Sequence, residues 1–319
     1  MAYMKILITG GSGFIGTHLI RLLSKDVHEL KIFDKHMSNT YPEFTTIGDV
    51  RNKEHLNEAL KHMDLVIHLA AEHKDNVVPK SLYYDVNVGG TKNLVEACES
   101  NGVHRIIFTS TVAVYGLHLD ESLESSPLKP FNDYGKSKRQ AESILSAWSE
   151  QSENRALTII RPTVVFGEEN RGNVYTLMKQ VVENRFMMIG NGQNKKSIAY
   201  VGNLVRFVAS TLENSGSSIV NYADKPDLTT TDLVTAINQT LGRKYRGLSI
   251  PYWMGVSAGY LFDLAAKLMQ REFPISSIRI KKFCSNSTIN ADRLNNLYND
   301  KLTPLPEAIE RTIRHEFLI

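Results

Sequence analysis

Two side chains of this sequence are spaced so that together they could move a proton. Tyr134 and Lys138 stand four residues apart in Tyr134-Gly135-Lys136-Ser137-Lys138, and on a helix that spacing puts phenol and ammonium on one face. A free phenol, with a pKa of about 10, is a poor base at neutral pH. A neighbouring ammonium favours the phenolate, each tenfold gain in acidity being worth about 1.4 kcal/mol. Thr111 lies upstream in Thr109-Ser110-Thr111; it could hydrogen-bond the same substrate oxygen and hold it about 3 Å from the phenol, as general acid/base transfer requires. The alternative for a bare Tyr-x-x-x-Lys pair is a tyrosine on a helix surface beside a solvated lysine.

A second group could hold phosphate. The run Thr9-Gly10-Gly11-Ser12-Gly13-Phe14-Ile15-Gly16 contains G-x-G-x-x-G between an apolar strand-like segment and a helical one. Glycines there remove the Cβ and let backbone amides and the positive helix end approach a pyrophosphate, although such a triad is often only a turn. Asp34 follows 18 residues after Gly16, at the end of the next apolar run, where a carboxylate accepts hydrogen bonds from an adenosine ribose. A 2′-phosphate would meet like charge, with Lys35 the only nearby basic group to soften it, so the pattern favours NAD. The alternative for Asp34 is a strand-end turn residue.

These groups need a scaffold, and the first 162 residues have the rhythm of one. Short β-branched runs at 5–8, 30–33, 65–69, 105–109 and 157–160 predict strands, and apolar spacing over 16–24, 53–62, 89–100 and 134–148 predicts crossover helices between them. The fold class expected is α/β, a doubly wound parallel Rossmann sheet over 1–162 with a smaller mixed C-terminal lobe over 163–319, some of whose elements return to the sheet. Helical segments near 174–183, 204–212 and 231–241 belong to that lobe. The segment 252–269 has a broad apolar face carrying Trp253, Tyr260, Leu261, Leu264 and Leu268, flanked by Arg271. Burial in the lobe is the preferred reading over seating on a membrane surface.

The composition narrows the class. At 319 residues, with 42% hydrophobic and 22% charged side chains, the chain is an ordinary folded protein. A net charge of +3 is too small for the electrostatic footprint of a nucleic-acid binder. The positive excess lies after residue 162, which suits a diphosphate or merely a solvated face. Cys98 and Cys284 form neither a disulfide nor a metal-ligand pattern, and no long apolar core follows the N-terminus. A cytoplasmic enzyme without a metal is therefore expected.

Taken together the residues resemble the extended short-chain dehydrogenase/reductase superfamily, and within it the NAD-dependent epimerase/dehydratase family typified by UDP-galactose 4-epimerase. The resemblance runs from about Lys5 to Tyr222 and rests also on Asp49-Val50, His68-Leu69-Ala70-Ala71, Asn87-Val88-Gly89-Gly90-Thr91, Arg161-Pro162 and Tyr200-Val201. It implies a catalytic triad of Thr111, Tyr134 and Lys138, with Lys138 also on the nicotinamide ribose. It implies NAD contacts from Gly10, Gly13, Phe14, Ile15, Gly16, Asp34, Lys35, Asp49, Val50, Leu69, Ala70, Ala71, Asn87, Tyr134, Lys138 and Pro162. The implied reaction is 4-epimerisation of a nucleotide-diphosphate sugar, a UDP-hexose or UDP-N-acetylhexosamine, through a transient 4-keto sugar. A homodimer seam through Leu94, Val95, Cys98, Ile144 and Leu145 is implied as well, or packing of the same residues on the sheet.

Departures sharpen the reading. Dehydratases of the family carry an Asp-Glu pair where this sequence has Val112 and Ala113, which cannot move a proton, so dehydration is disfavoured. Val164 replaces an asparagine and Lys196 an arginine at positions used for diphosphate recognition; Lys196, Arg279, Lys281 and Lys282 can still supply charge. Glu72 and His73 follow the segment expected beside the nicotinamide and are candidate substrate contacts, with structural or solvated roles as the alternative. His68 reads as a packed core histidine. Two other functions compete: a 4-keto-sugar reductase, which would consume cofactor stoichiometrically, and a dinucleotide-sensing regulator, which would not need Tyr134 and Lys138.

Overall fold

The computed structural model describes residues 3–26, 28–74, 77–117, 119–245, 247–269 and 276–317. Each apolar run of the first half is a strand buried on both faces, as parallel sheets covered by helices require. In β1 (Lys5–Thr9) four of five residues are buried. With β2 (Glu29–Asp34), β3 (Thr45–Ile47), β4 (Leu65–His68), β5 (Arg105–Thr109), β6 (Ala156–Pro162) and β7 (Ser218–Tyr222) it forms one sheet in the order β7-β6-β5-β4-β1-β2-β3. Every pairing is parallel. The crossovers include α1 (Phe14–Leu23), α2 (Lys53–Ala59), α3 (Gly90–Asn101) and α4 (Asp133–Glu150). Strand order reverses between β1 and β4, and the crevice beyond their carboxyl ends is where such sheets bind ligands.

Two strands of this sheet had no predicted range, although a return of C-terminal elements to the sheet was expected. β3 is three residues at the sheet edge with two of them exposed, so it lacks an apolar run. β7 comes from the second half and returns to pair with β6 from Ser218↔Thr158 to Tyr222↔Pro162. The helix pair α3 and α4 packs on the sheet through Leu94, Cys98, Leu145 and Trp148, all essentially inaccessible. Of the proposed dimer seam, Leu94, Cys98 and Leu145 are therefore core, while Val95 and Ile144 are only partly buried.

The C-terminal half adds α5 (Asn173–Val182), α6 (Val201–Ser210), α7 (Thr230–Thr240), α8 (Tyr252–Met269), α9 (Ser277–Cys284) and α10 (Leu305–Phe317). A smaller mixed sheet joins Asp224–Thr229, Lys195–Tyr200, Ser287–Ile289 and Leu119–Ser122, with Val164–Phe166 also paired to Lys195–Tyr200. The expectation that α8 buries its apolar face is overturned. Its only buried residues are Gly255 and Gly259, while Trp253 is 68%, Leu261 69% and Leu268 76% exposed. The cause is steric. A Cβ at Gly255 would stand 2.7 Å from the Ile189 side chain, and one at Gly259 2.7 Å from the Ser277 backbone. The helix lies on its glycines, and the large side chains face outward. Arg271, expected beside this face, is outside the described residues. No helix among the described residues is long and apolar enough to cross a membrane.

Candidate active site

The turn from β1 into α1 forms one lip of the crevice. Gly10 has φ +72°, and a Cβ there would come within 2.6 Å of the Ala70 backbone nitrogen. Only glycine suits that position, because the loop runs directly over the end of β4. Helix α1 begins after Gly13 with no side-chain cap, so its first amides and the positive helix end are presented to the crevice. Asp34 ends β2 and fixes this loop: its carboxylate accepts from Ser12 N at 3.1 Å and His36 N at 3.0 Å. Asp34 thus serves as the turn residue of the alternative reading while facing the crevice. Asp49, further along, is paired with Arg51 at 2.6 Å, which holds its carboxyl below the usual range.

On the opposite lip, α4 starts at an Asn132 cap whose side chain accepts from Gly135 N. Its face presents Tyr134 and, one turn on, Lys138. Tyr134 shares a hydrogen bond with Thr111, which favours the phenolate. Lys138 is almost wholly buried; it donates to Thr109 O at 2.6 Å and lies 4.1 Å from the centre of the Phe108 ring. The three groups named for proton transfer do converge, but their charges differ from the sequence expectation. Burial pushes the Tyr134 phenol up to about 12 and the Lys138 ammonium down to about 7. Both changes oppose a ready-made phenolate and ammonium pair, and desolvation is the cause of each.

Lys138 therefore links stability to pH. It titrates near 7 in the folded chain against 10.5 ordinarily, so between those values the unfolded chain binds more protons, and stability rises with pH across the window. Lys138→Met, which cannot titrate, should lead the wild type in urea midpoint at neutral pH and lose that lead towards the alkaline end. A difference that does not change with pH would contradict this.

Behind the pair lies a buried ion pair that sequence reasoning missed. Glu142, one turn beyond Lys138 on α4, takes Arg161 of β6 in a two-pronged contact of 3.0 and 2.7 Å. Their side chains are 5% and 3% exposed. Ser110 also donates to Glu142. Arg161 donates to the Tyr115 hydroxyl at 2.7 Å, and that hydroxyl donates to Asn221 of β7 at 2.7 Å. The set clamps α4 to the sheet and so fixes where Lys138 and Tyr134 stand. The available signal was spacing: Tyr134, Lys138 and Glu142 recur every four residues.

Asn87 lies behind the wall rather than in it. Its amide accepts from Glu72 N at 2.8 Å and donates to Glu72 O at 3.0 Å and Ser137 Oγ at 2.9 Å. It pins the 69–74 segment to α4. The Glu72 carboxylate accepts from His73 N and Lys74 N, so it is a loop cap that also faces the crevice. His68 is fully buried between Thr9 at 2.7 Å and Thr91 at 3.3 Å, and burial lowers its pKa to about 3. It is a neutral packed histidine, as expected.

The second lobe closes the far side. Lys196 donates to the carbonyls of Lys282 and Ser285 near the end of α9, and burial lowers its pKa to about 8. Val164, Arg279 and Lys282 line the same side. The cleft spans about 2380 Å³, well beyond the several hundred Å³ typical of a single small-ligand pocket, so a dinucleotide and a second ligand fit together. Gly10, Gly13, Phe14, Ile15, Gly16, Asp34, Lys35, Asp49, Val50, Leu69, Ala70, Ala71, Thr111, Tyr134, Lys138, Pro162, His73 and Arg279 all line it.

Residues 6–223 match the NAD dependent epimerase/dehydratase family. The chain belongs to that family. It is 47% identical over 317 residues, covering 98% of itself and 96% of the relative, to the N-acetyl-alpha-D-glucosaminyl-diphospho-ditrans,octacis-undecaprenol 4-epimerase of Escherichia coli O157:H7. It is 30% identical to the UDP-glucose 4-epimerase of Vibrio cholerae, over 81% of this chain and 82% of the relative. Among solved structures, the Thermus thermophilus UDP-glucose 4-epimerase in complex with NAD has the same fold, at 22% identity, TM-score 0.76 and 98% coverage of each chain. Both of these relatives are named as 4-epimerases, and this family member is an NAD-dependent 4-epimerase of the extended short-chain dehydrogenase/reductase type. Its residues fit the cofactor of the family's name. The uncapped start of α1 suits a pyrophosphate, and Thr109 Oγ1, buried next to Lys138 at the cleft wall, has no partner among the described residues.

Proposed function

We propose that this protein inverts C4 of an N-acetylhexosamine joined through a diphosphate to a polyprenol. The observation that carries the reading is the 47% identity, over nearly the whole of both chains, to an epimerase named for that substrate.

In this reading the Gly10 to Gly16 turn and the start of α1 hold the dinucleotide pyrophosphate, Asp34 takes the adenosine ribose, and Thr109 and Lys138 face the nicotinamide end. Bound NAD supplies the hydride acceptor and donor. Tyr134 exchanges the proton of the C4 hydroxyl, with Thr111 on the same oxygen. Burial favours the neutral phenol and the Thr111 hydrogen bond favours the phenolate; it is the phenolate that takes the C4 hydroxyl proton as the hydride leaves, and the phenol so formed returns that proton when the 4-keto sugar is reduced. Lys196 and Arg279 sit on the diphosphate side. Val112 and Ala113 leave the turn after Thr111 without an acid or base, and the sugar keeps its oxygen at C6.

A nucleotide sugar is the second reading, favoured by the UDP-glucose 4-epimerase relative. Purified protein offered polyprenyl-diphosphate N-acetylglucosamine in detergent and, separately, UDP-N-acetylglucosamine decides between them. Conversion of the lipid-linked sugar at a kcat/KM at least tenfold higher is expected. Preference for the UDP-sugar would replace the first reading with the second.

A further inference from the structure

Helix α8 is built the wrong way round for a globular protein. Trp253, Tyr260, Leu261, Leu264 and Leu268 recur at i, i+7, i+8, i+11 and i+15, which is a single helical stripe. That stripe lies opposite the two glycines on which the helix rests, and all five side chains are exposed. Monomeric proteins rarely leave so continuous an apolar surface in water.

The charges on α8 and α9 are mainly positive. Among the described residues of α8 and α9, the only carboxylate is Asp263, and it accepts from Ser277 N at 3.2 and 3.3 Å at the start of α9. The others are Lys267, Arg279, Lys281 and Lys282. The Lys281 ammonium packs 4.9 Å from the Tyr260 ring centre and donates to its hydroxyl at 2.7 Å, so a cation sits at the very edge of the stripe. A second copy docked on this face would bring like charges together, whereas anionic headgroups meet them with opposite sign. Tryptophan and tyrosine beside leucine, with a lysine rim, is the pattern of a helix lying in a bilayer interface.

The stripe adjoins the mouth of the cleft. Ile278, Arg279, Lys282 and Phe283 of α9 line the cleft, and α9 packs along α8. Gly255 of α8 rests on Ile189, another lining residue. We propose that the exposed stripe of α8, with its basic rim from Lys267 and α9, seats the enzyme on a bilayer bearing anionic phospholipid and brings the cleft mouth to a substrate whose polyprenol stays in the membrane. The second half of this proposal rests on the lipid-linked reading above; the docking surface itself rests on α8 and α9.

The test uses the whole purified protein and vesicles without substrate. Wild type should float with phosphatidylcholine vesicles containing phosphatidylglycerol, and bind pure phosphatidylcholine or high-salt samples at least fivefold less. The double variant Leu261→Glu/Leu268→Glu, whose two positions are solvent-exposed, should keep the wild-type melting temperature and detergent-phase activity within twofold. Its binding to the anionic vesicles should fall at least tenfold. Wild type left unbound by anionic vesicles, or the double variant binding as well as wild type, would overturn the proposal. So would a wild-type oligomer that the double variant breaks apart with no vesicle binding by either, since the face would then join protein to protein. Failure of the lipid-linked substrate to turn over in detergent, with vesicle binding intact, would remove the substrate reading and leave the docking surface standing.

Discussion

Tyr134→Phe is expected to lower kcat by at least about 10²-fold, and up to about 10⁴-fold, the usual worth of a positioned acid/base group. The phenol is the group that Thr111 hydrogen-bonds and that shares a helix face with Lys138, and no carboxylate or imidazole follows Thr111 to replace it. Phenylalanine keeps the ring and its packing beside Tyr83. KM, the melting temperature and the NAD released on denaturing the protein should therefore stay near wild type, because only the proton is removed. Steady-state kinetics with cofactor quantified in the same preparations check this. Loss of activity together with loss of NAD would show the hydroxyl holding the cofactor instead, and preserved turnover would take Tyr134 out of the reaction.

Glu142→Ala should be the most damaging single change to stability. It strips the carboxylate from a pair in which both side chains are nearly inaccessible and leaves the Arg161 guanidinium buried without its counter-charge. Breaking a buried pair from one side costs about 3–5 kcal/mol. Ser110 loses its acceptor as well. Glu142→Gln, which keeps the shape and an acceptor, should lose less. Because the pair clamps α4 to β6, Glu142→Gln should also lower kcat more than it raises KM, through displacement of Lys138 and Tyr134. Urea denaturation of both variants, with kinetics on the folded glutamine variant, measures each effect. A Glu142→Ala protein within about 1 kcal/mol of wild type would mean that Arg161 reaches water or another anion.

The parallel sheet was legible because its strands are buried on both faces and carry unbroken β-branched runs; β5 was expected and found over 105–109. The glycine turn was legible because chemistry, a positive φ at Gly10 and the run of backbone over Ala70, restricts the residue type. What failed was whatever depended on depth. Spacing placed Tyr134 beside Lys138, but it could not show that the wall would exclude water from both and reverse the direction in which each ionises. The same limit misplaced α8. Its apolar stripe looked like a buried face, and the informative residues were the two glycines four apart, whose missing side chains let the helix rest on Ile189 and Ser277. β7 was hidden because its partner is about sixty residues earlier in the chain, across α5 and α6. Asn87 was legible as important, yet its amide faces Glu72 and Ser137 rather than the cleft.

The central claim is that C4 is oxidised and then reduced within one site, the hydrogen leaving carbon as hydride and returning to it. Substrate carrying deuterium at C4, incubated with the purified protein in ordinary water until both epimers are present, tests this in one mass spectrum. Deuterium retained at C4 in both epimers, with no net change in NAD, is the predicted result. Deuterium replaced by solvent hydrogen would mean that carbon loses a proton, not a hydride, and would contradict the account.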